Sequence, residues 1–102
     1  MRKRRVLITP DADVDLLQIM DFVSGIYREE SGIKFVKRMF LEIAPLGISS
    51  DAFPLSRFRT AREIHPEAKT IPIMKHQWTV VFHVDGDYVV VDKILPSSSM
   101  AE

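Results

Sequence analysis

Three histidines, His65, His76 and His83, three lysines, Lys69, Lys75 and Lys93, and three arginines, Arg57, Arg59 and Arg62, are the side chains in this sequence that could act on a phosphate group. Metal-free cleavage of a phosphodiester needs a base for the attacking hydroxyl, cations for the charge that builds on the phosphoryl oxygens, and an acid for the leaving oxygen. No other residues here could assemble that set. Each also has a plainer use. His83 reads first as a polar strand residue or a cross-strand partner, and His76 beside Lys75 as a solvated turn residue. Lys93, between Asp92 and Ile94, either pairs with a nearby acid or projects into a basic cleft. Arg57, Arg59 and Arg62 would line a phosphate-facing edge or meet an acidic segment of another protein. Trp78, Phe82 and Tyr88 could stack on bases, but a domain of this size needs its large aromatics for burial. No metal or cofactor is expected: cysteine is absent, the histidines are widely spaced, and no carboxylate accompanies them at ligand spacing. A glycine-rich phosphate loop, a hydrolase elbow and a paired-carboxylate motif are likewise missing.

The elements that must position these residues belong to one domain, since 102 residues leave room for one core. Acids and bases balance at 14 each, but they are segregated. Arg2, Lys3, Arg4 and Arg5 open the chain without an acid. Asp11, Asp13, Asp15, Asp21, Glu29 and Glu30 follow against Arg28 alone. Residues 57–83 are again basic and hold every histidine. Such a split marks either a face for a polyanion or different solvated surfaces. After the basic start only Val6, Leu7 and Ile8 precede Thr9-Pro10, too few for a signal segment. No apolar run approaches the roughly 18 residues of a membrane span. A soluble, cytoplasmic protein is expected.

Residues 4–9 are β-branched and end at a proline, so they read as a strand. Thr9 is placed to cap a helix that Pro10 begins, with Asp11 and Asp13 at its positive end. Leu16, Ile19, Met20, Val23, Ile26 and Tyr27 recur at helical spacing. Glu29 to Gly32 reads as a tight connection with Ser31 as the next N-cap. Ile33, Val36, Met39, Phe40, Ile43 and Leu46 repeat the apolar stripe, and Pro45 ends it. Two such helices joined by a few residues imply an antiparallel hairpin. Residues 47–59 read as an ordered loop. From residue 60 the period falls to two: 60–64 is a weak strand, and 70–74 is a strand whose Pro72 requires an edge or bulge. Residues 78–84 and 88–95 are strands joined by the Asp85-Gly86-Asp87 turn. Alternation puts Trp78, Val80, Phe82 and Val84 on one face, and Thr79, Val81 and His83 on the more exposed other. Residues 1–96 form the domain, and 97–102 read as a flexible tail. The first strand must join the C-terminal sheet to satisfy its ladder groups. The expected fold is therefore α+β in two layers: an N-terminal strand, an antiparallel helical hairpin, and a C-terminal antiparallel sheet of three to four strands that the first strand joins.

In that order the chain resembles the RelE/ParE family of toxins of type II toxin–antitoxin systems, which includes plasmid-stabilisation proteins. The resemblance runs over residues 5–96. It rests on Val6-Leu7-Ile8-Thr9-Pro10-Asp11-Ala12 with Asp15-Leu16, Ile19 and Phe22-Val23; on Phe35, Met39, Ile43 and Leu46; on Phe53-Pro54; on Ile71-Pro72-Ile73 before Val80 to Asp87; and on Ile94-Leu95. It implies a bacterial toxin neutralised by a cognate antitoxin. ParE-like members inhibit DNA gyrase, whereas RelE-like members cut mRNA on the ribosome with basic residues of the sheet. Here lysine, Lys69, stands where many members carry arginine, and loses the planar fork that grips phosphate. Phe82 stands where a tyrosine is common. Pro96-Ser97-Ser98-Ser99 replaces the usual basic C-terminal cluster, which weighs against nuclease chemistry. The family reading leads with gyrase inhibition. An mRNA endonuclease, or a degenerate toxin that keeps only antitoxin binding, is the alternative. If there is catalysis, Lys69, His83 and Lys93 are expected to carry it, while Arg57, Arg59, Arg62, His65, Lys75 and His76 bind the nucleic acid or other target. The antitoxin is expected to cover an exposed apolar strip formed by the hairpin and the sheet edge.

Overall fold

The computed structural model describes residues 2–102. Strand β1 (Arg5–Ile8) leads directly into helix α1 (Pro10–Ile26). Thr9 is the N-cap, its Oγ1 accepting the Ala12 amide at 3.1 Å, with Pro10 at the first helical position. The turn to α2 (Glu29–Ile43) is shorter than the sequence suggests. Arg28 is the N-cap, so Glu29, Glu30 and Ser31 already belong to the helix, and Ser31 does not cap it. Gly32 signals something other than a turn. A Cβ there would collide with the Ser24 hydroxyl and the Met20 carbonyl oxygen, so glycine is what lets α1 and α2 pack this closely.

Beyond Pro45 the expected loop is partly helical, with α3 (Leu46–Ser49) followed by a 3-10 turn, Ser50–Ala52. Gly47 lies against the Arg4 carbonyl, which bonds its neighbourhood to β1 through Arg4 N–H and Gly47 C=O at 2.7 Å. Residues 60–64 are not a strand. They lie in helix α4 (Arg59–Ile64), where Arg59 pairs with Glu63 one turn on and Ala61 is fully buried. A five-residue stretch of mixed polarity does not separate one helical turn from a short strand.

Strands β2 (Lys69–Ile73), β3 (Trp78–Asp85) and β4 (Tyr88–Pro96) form the expected antiparallel meander. Gly86, with φ +57°, makes the tight β3–β4 turn. The sheet order is β1-β4-β3-β2, and β1 joins β4 in parallel, which makes the sheet mixed. Pro72 sits on the edge strand β2, where no inner ladder needs its missing amide.

One face of the sheet carries Val80, Phe82, Val89, Val91 and Ile94 against Ala12, Leu16 and Ile19 of α1 and Met39 and Ile43 of α2. The other face is not open. Ala61 of α4, Ala68 and Val81 form a second small core, joined by Phe58, Ile64, Leu95 and Met100. Residues 97–102, read as a flexible tail, are tied to that layer. Thr60 and Ala101 exchange two hydrogen bonds, Thr60 N–H to Ala101 C=O at 3.3 Å and Ala101 N–H to Thr60 Oγ1 at 2.9 Å. Ser97 shares a hydroxyl bond with Thr79 at 2.9 Å.

Strand β1 stops pairing at Val91, so the second half of β4 has a free edge. Asp15 of α1 closes it, one carboxylate oxygen accepting Ile94 N–H at 2.9 Å and the other Lys93 Nζ at 3.0 Å. Asp15→Ala would leave an amide and an ammonium without partners in a half-buried setting. We expect a loss of about 2 kcal/mol and a melting temperature lower by about 10 °C, measurable in a thermal melt. An unchanged melt would mean that the edge is held by packing alone.

Candidate functional site

Alternation along β3 sends His83 to the face opposite Phe82, and a bulge in β4 then completes its surroundings. Val81 pairs with Lys93 and Phe82 with Val91, which leaves Asp92 as the extra residue. Its carboxylate lies 2.6 Å from His83 Nδ1. From the end of α4, His65 stacks flat on the His83 ring, with centroids 3.7 Å apart and planes 5° from parallel. Local backbone geometry fixes His65 in turn, because its Nδ1 accepts the Glu67 amide at 3.0 Å. That bond needs the Nδ1 lone pair, so the proton of neutral His65 is on Nε2. His83 donates from Nδ1 to Asp92, which leaves its Nε2 free to take a proton. A carboxylate that orients an imidazole in this way is a general-base arrangement. The His83 and Asp92 side chains are only 13% and 15% exposed, so His83 is more covered than its outward alternation suggests. Stacked rings cannot both aim an in-plane lone pair at one ion, and among the described residues no cluster of three metal-ligating groups occurs.

The other candidates do not converge on this pair. Lys69 is in register with Phe82, on the hairpin side of the sheet, where its Nζ holds the Ser50 carbonyl at 3.0 Å. Lys93 is bound to Asp15. Of the three expected catalytic residues, only His83 therefore has its polar group in this cluster. Arg62 donates to the Arg57 carbonyl at 2.7 Å, latching the loop before α4, and Arg59 pairs with Glu63 in solvent. Lys75 and His76 occupy the β2–β3 turn, where Met74, Lys75 and His76 all have left-handed φ (52°, 56° and 66°). Such a run is costly for residues with a Cβ. It is pinned by Glu42 of α2, whose carboxylate accepts the Met74 amide at 3.1 and 3.2 Å. Lys75 borders a groove on the hairpin side and His76 a hollow on the α4 side. The aromatics are mainly structural: Phe82 is fully buried and Trp78 packs on the core, while Tyr88 remains 40% exposed.

Asp92 is the site residue that the sequence reading did not select. Its only trace was a charged pair, Asp92-Lys93, inside an apolar strand, and a bulge cannot be seen in that pattern. Two of the four N-terminal bases are also committed. Arg4 is bonded to Asp51 at 2.7 Å and to the Gly86 carbonyl at 2.9 Å, and Arg2 to Asp87. Hydrogen bonding from Arg4 holds the Asp51 carboxyl below the usual carboxylate range, and Arg2 does the same to Asp87.

The groove beside the hairpin has a volume of about 460 Å³ and is lined by Phe35, Arg38, Leu41, Glu42, Met74 and Lys75. A second hollow separates Ile19 and Phe22 of α1 from Trp78, Ile94 and Pro96. Both lie where the hairpin meets the ends of the sheet, so the apolar strip expected from the sequence is present as two flanking grooves.

A strand, a helical hairpin and a meander that takes the first strand back in parallel give the chain a ParE-like fold. A solved structure of the chromosomal ParDE TA system from P. aeruginosa matches the chain with a TM-score of 0.78 at 18% identity, over 92% of this chain and 96% of that one. No protein-family model matches the chain, and no curated protein does. None of its helices is long and apolar enough to cross a membrane, among the described residues.

Proposed function

We propose that this chain is the toxin half of a type II toxin–antitoxin pair, acting in the bacterial cytoplasm by binding DNA gyrase or a related target. The observation that carries the reading is the ParDE-like fold over nearly the whole chain. Two features support binding over cleavage. Lys69 and Lys93, the cations a nuclease would need, each hold an oxygen of the protein's own framework. The groove between α2 and the β2–β3 turn combines apolar Phe35, Leu41 and Met74 with Arg38 and Lys75. That composition suits an acidic amphipathic segment of an antitoxin, laid in as a helix or strand.

Induced expression in bacteria tests the reading. Growth arrest with failed gyrase supercoiling and intact mRNA is the expected result, relieved by co-expression of a cognate antitoxin. Codon-edge mRNA cuts would overturn the gyrase target in favour of the second reading, a ribosome-dependent endonuclease. That reading has its own support in the His83–Asp92 pair and the stacked His65. Under it, His83→Gln lowers cleavage about 100-fold or more. Under the first, the same change leaves gyrase inhibition unaltered. Unimpaired growth would overturn both and leave antitoxin binding as the retained property.

A further inference from the structure

We propose that the link between Asp85 and Gly86 is a site of spontaneous covalent modification, at which the aspartate isomerises through a cyclic imide to the β-linked isoaspartyl form. The Gly86 nitrogen attacks Asp85 Cγ, and the carboxyl's hydroxyl leaves as water with the amide hydrogen. Water then reopens the imide ring. Entry at Cγ restores aspartate. Entry at the main-chain carbonyl of Asp85 leaves the chain running through Cβ and Cγ, longer by a carbon, with the carboxylate on Cα.

Sequence and structure both single out this aspartate. The chain has no asparagine, and every other aspartate precedes a residue with a side chain. A Cβ on the following residue crowds the attacking nitrogen, and Gly86 brings none. Asp11, Asp13, Asp15 and Asp21 are also fixed in α1, and the carboxylates of Asp51, Asp87 and Asp92 are bonded to Arg4, Arg2 and His83. Asp85 has no ion pair among the described residues. Asp85, Gly86 and Asp87 are all exposed, and a Cβ built on Gly86 would meet open space, so the ring has room to form.

The same turn moors the start of the chain. Arg2 bonds the Asp87 carboxylate, Arg4 Nε the Gly86 carbonyl at 2.9 Å, and Arg5 N–H the Asp87 carbonyl at 3.0 Å. Ring closure requires Asp85, the last residue of β3, to swing its ψ out of the extended range. These bonds therefore gate the reaction, which proceeds from the locally opened end of the hairpin. The isoaspartyl residue in turn adds a main-chain atom to a tight turn whose backbone must match the twist of its strands, and so displaces the moorings. The modification is a lasting mark on chains whose first strand has worked loose. It needs neither gyrase nor ribosome, so it stands apart from the choice of target.

Prolonged incubation of the purified full-length chain at neutral pH tests it, with a synthetic peptide of residues 81–91 as the unconstrained reference. Isoaspartate is read by methyl transfer from labelled S-adenosylmethionine with an isoaspartyl methyltransferase, and is placed by peptide mapping. A single accepting site at Asp85 is expected, forming more slowly than in the peptide. Arg4→Ala should raise the rate about tenfold, the equivalent of one charge-assisted hydrogen bond. The isomerised fraction, separated by ion exchange, should lose hydrogen-exchange protection at the β1 amides. Asp85→Glu, whose longer side chain closes a ring far less readily, should accept no methyl groups. A wild-type rate equal to the peptide's overturns the gating. Isoaspartate that persists in Asp85→Glu, or that is absent from both the wild-type chain and Arg4→Ala once the peptide has converted, overturns the proposal.

Discussion

Replacing Phe82 by alanine is expected to remove about 4 kcal/mol of stability, enough to lower the melting temperature by about 20 °C. Phe82 is fully buried between the hairpin and the sheet and meets the edge of Phe53 with ring centroids 6.1 Å apart. Its neighbours, Val80, Val91 and Met39, sit on rigid elements that cannot collapse into the space. Chemical denaturation would measure the loss, and a cost near that of an exposed site would show that the core can rearrange. The same geometry fixes the result of Phe82→Tyr. The new hydroxyl would enter the apolar core on the side opposite His83, costing about 1–3 kcal/mol for an unpaired polar group. It would not supply an acid to the histidine pair. A gain of mRNA cleavage in that variant would show that the strand can turn over.

The second large effect runs against helix propensity. Glycine to alanine in an exposed helix interior stabilises by about 1 kcal/mol. Gly32→Ala should instead destabilise by about 2–3 kcal/mol. The Ser24 hydroxyl can rotate away from the added methyl, but the Met20 carbonyl is backbone and cannot. The helices must then separate along the whole hairpin. Differential scanning calorimetry gives the sign directly, and a stabilised variant would mean that the helices have room to part.

The contrast between Gly32 and Gly86 explains much of what could be read from the sequence. Both read as turn residues in the sequence. At Gly86 the turn chemistry is local, so the prediction holds. At Gly32 the demand comes from another helix, and no local pattern reports it. The capping of α1 by Thr9 and Pro10, the two helical stripes and the β3–β4 hairpin were legible for the same reason, since neighbours in the chain determine them. α4 was not, because Ala61 is fixed by Val81 and Ala68 across the sheet rather than by its own periodicity. The candidate site followed suit. His65 and His83 stood out by residue type, yet their contact depends on α4 folding over the second face. Asp92 reaches them only through a bulge. Lys69 and Lys93 were chosen for charge, and the oxygens that occupy them lie far away in the chain.

The parallel seam between β1 and β4 also dictates when the molecule can exist. Val6 must find Val89 and Ile8 must find Val91, so the earliest strand to be synthesised awaits the latest. While a ribosome is still extending the chain, α1 and α2 can pair, since their contacts are close in sequence, but the sheet beneath them is incomplete. The surfaces assembled on that sheet, His83 with Asp92 included, arise only after translation has passed residue 96. Whatever activity depends on them is withheld from the nascent polypeptide.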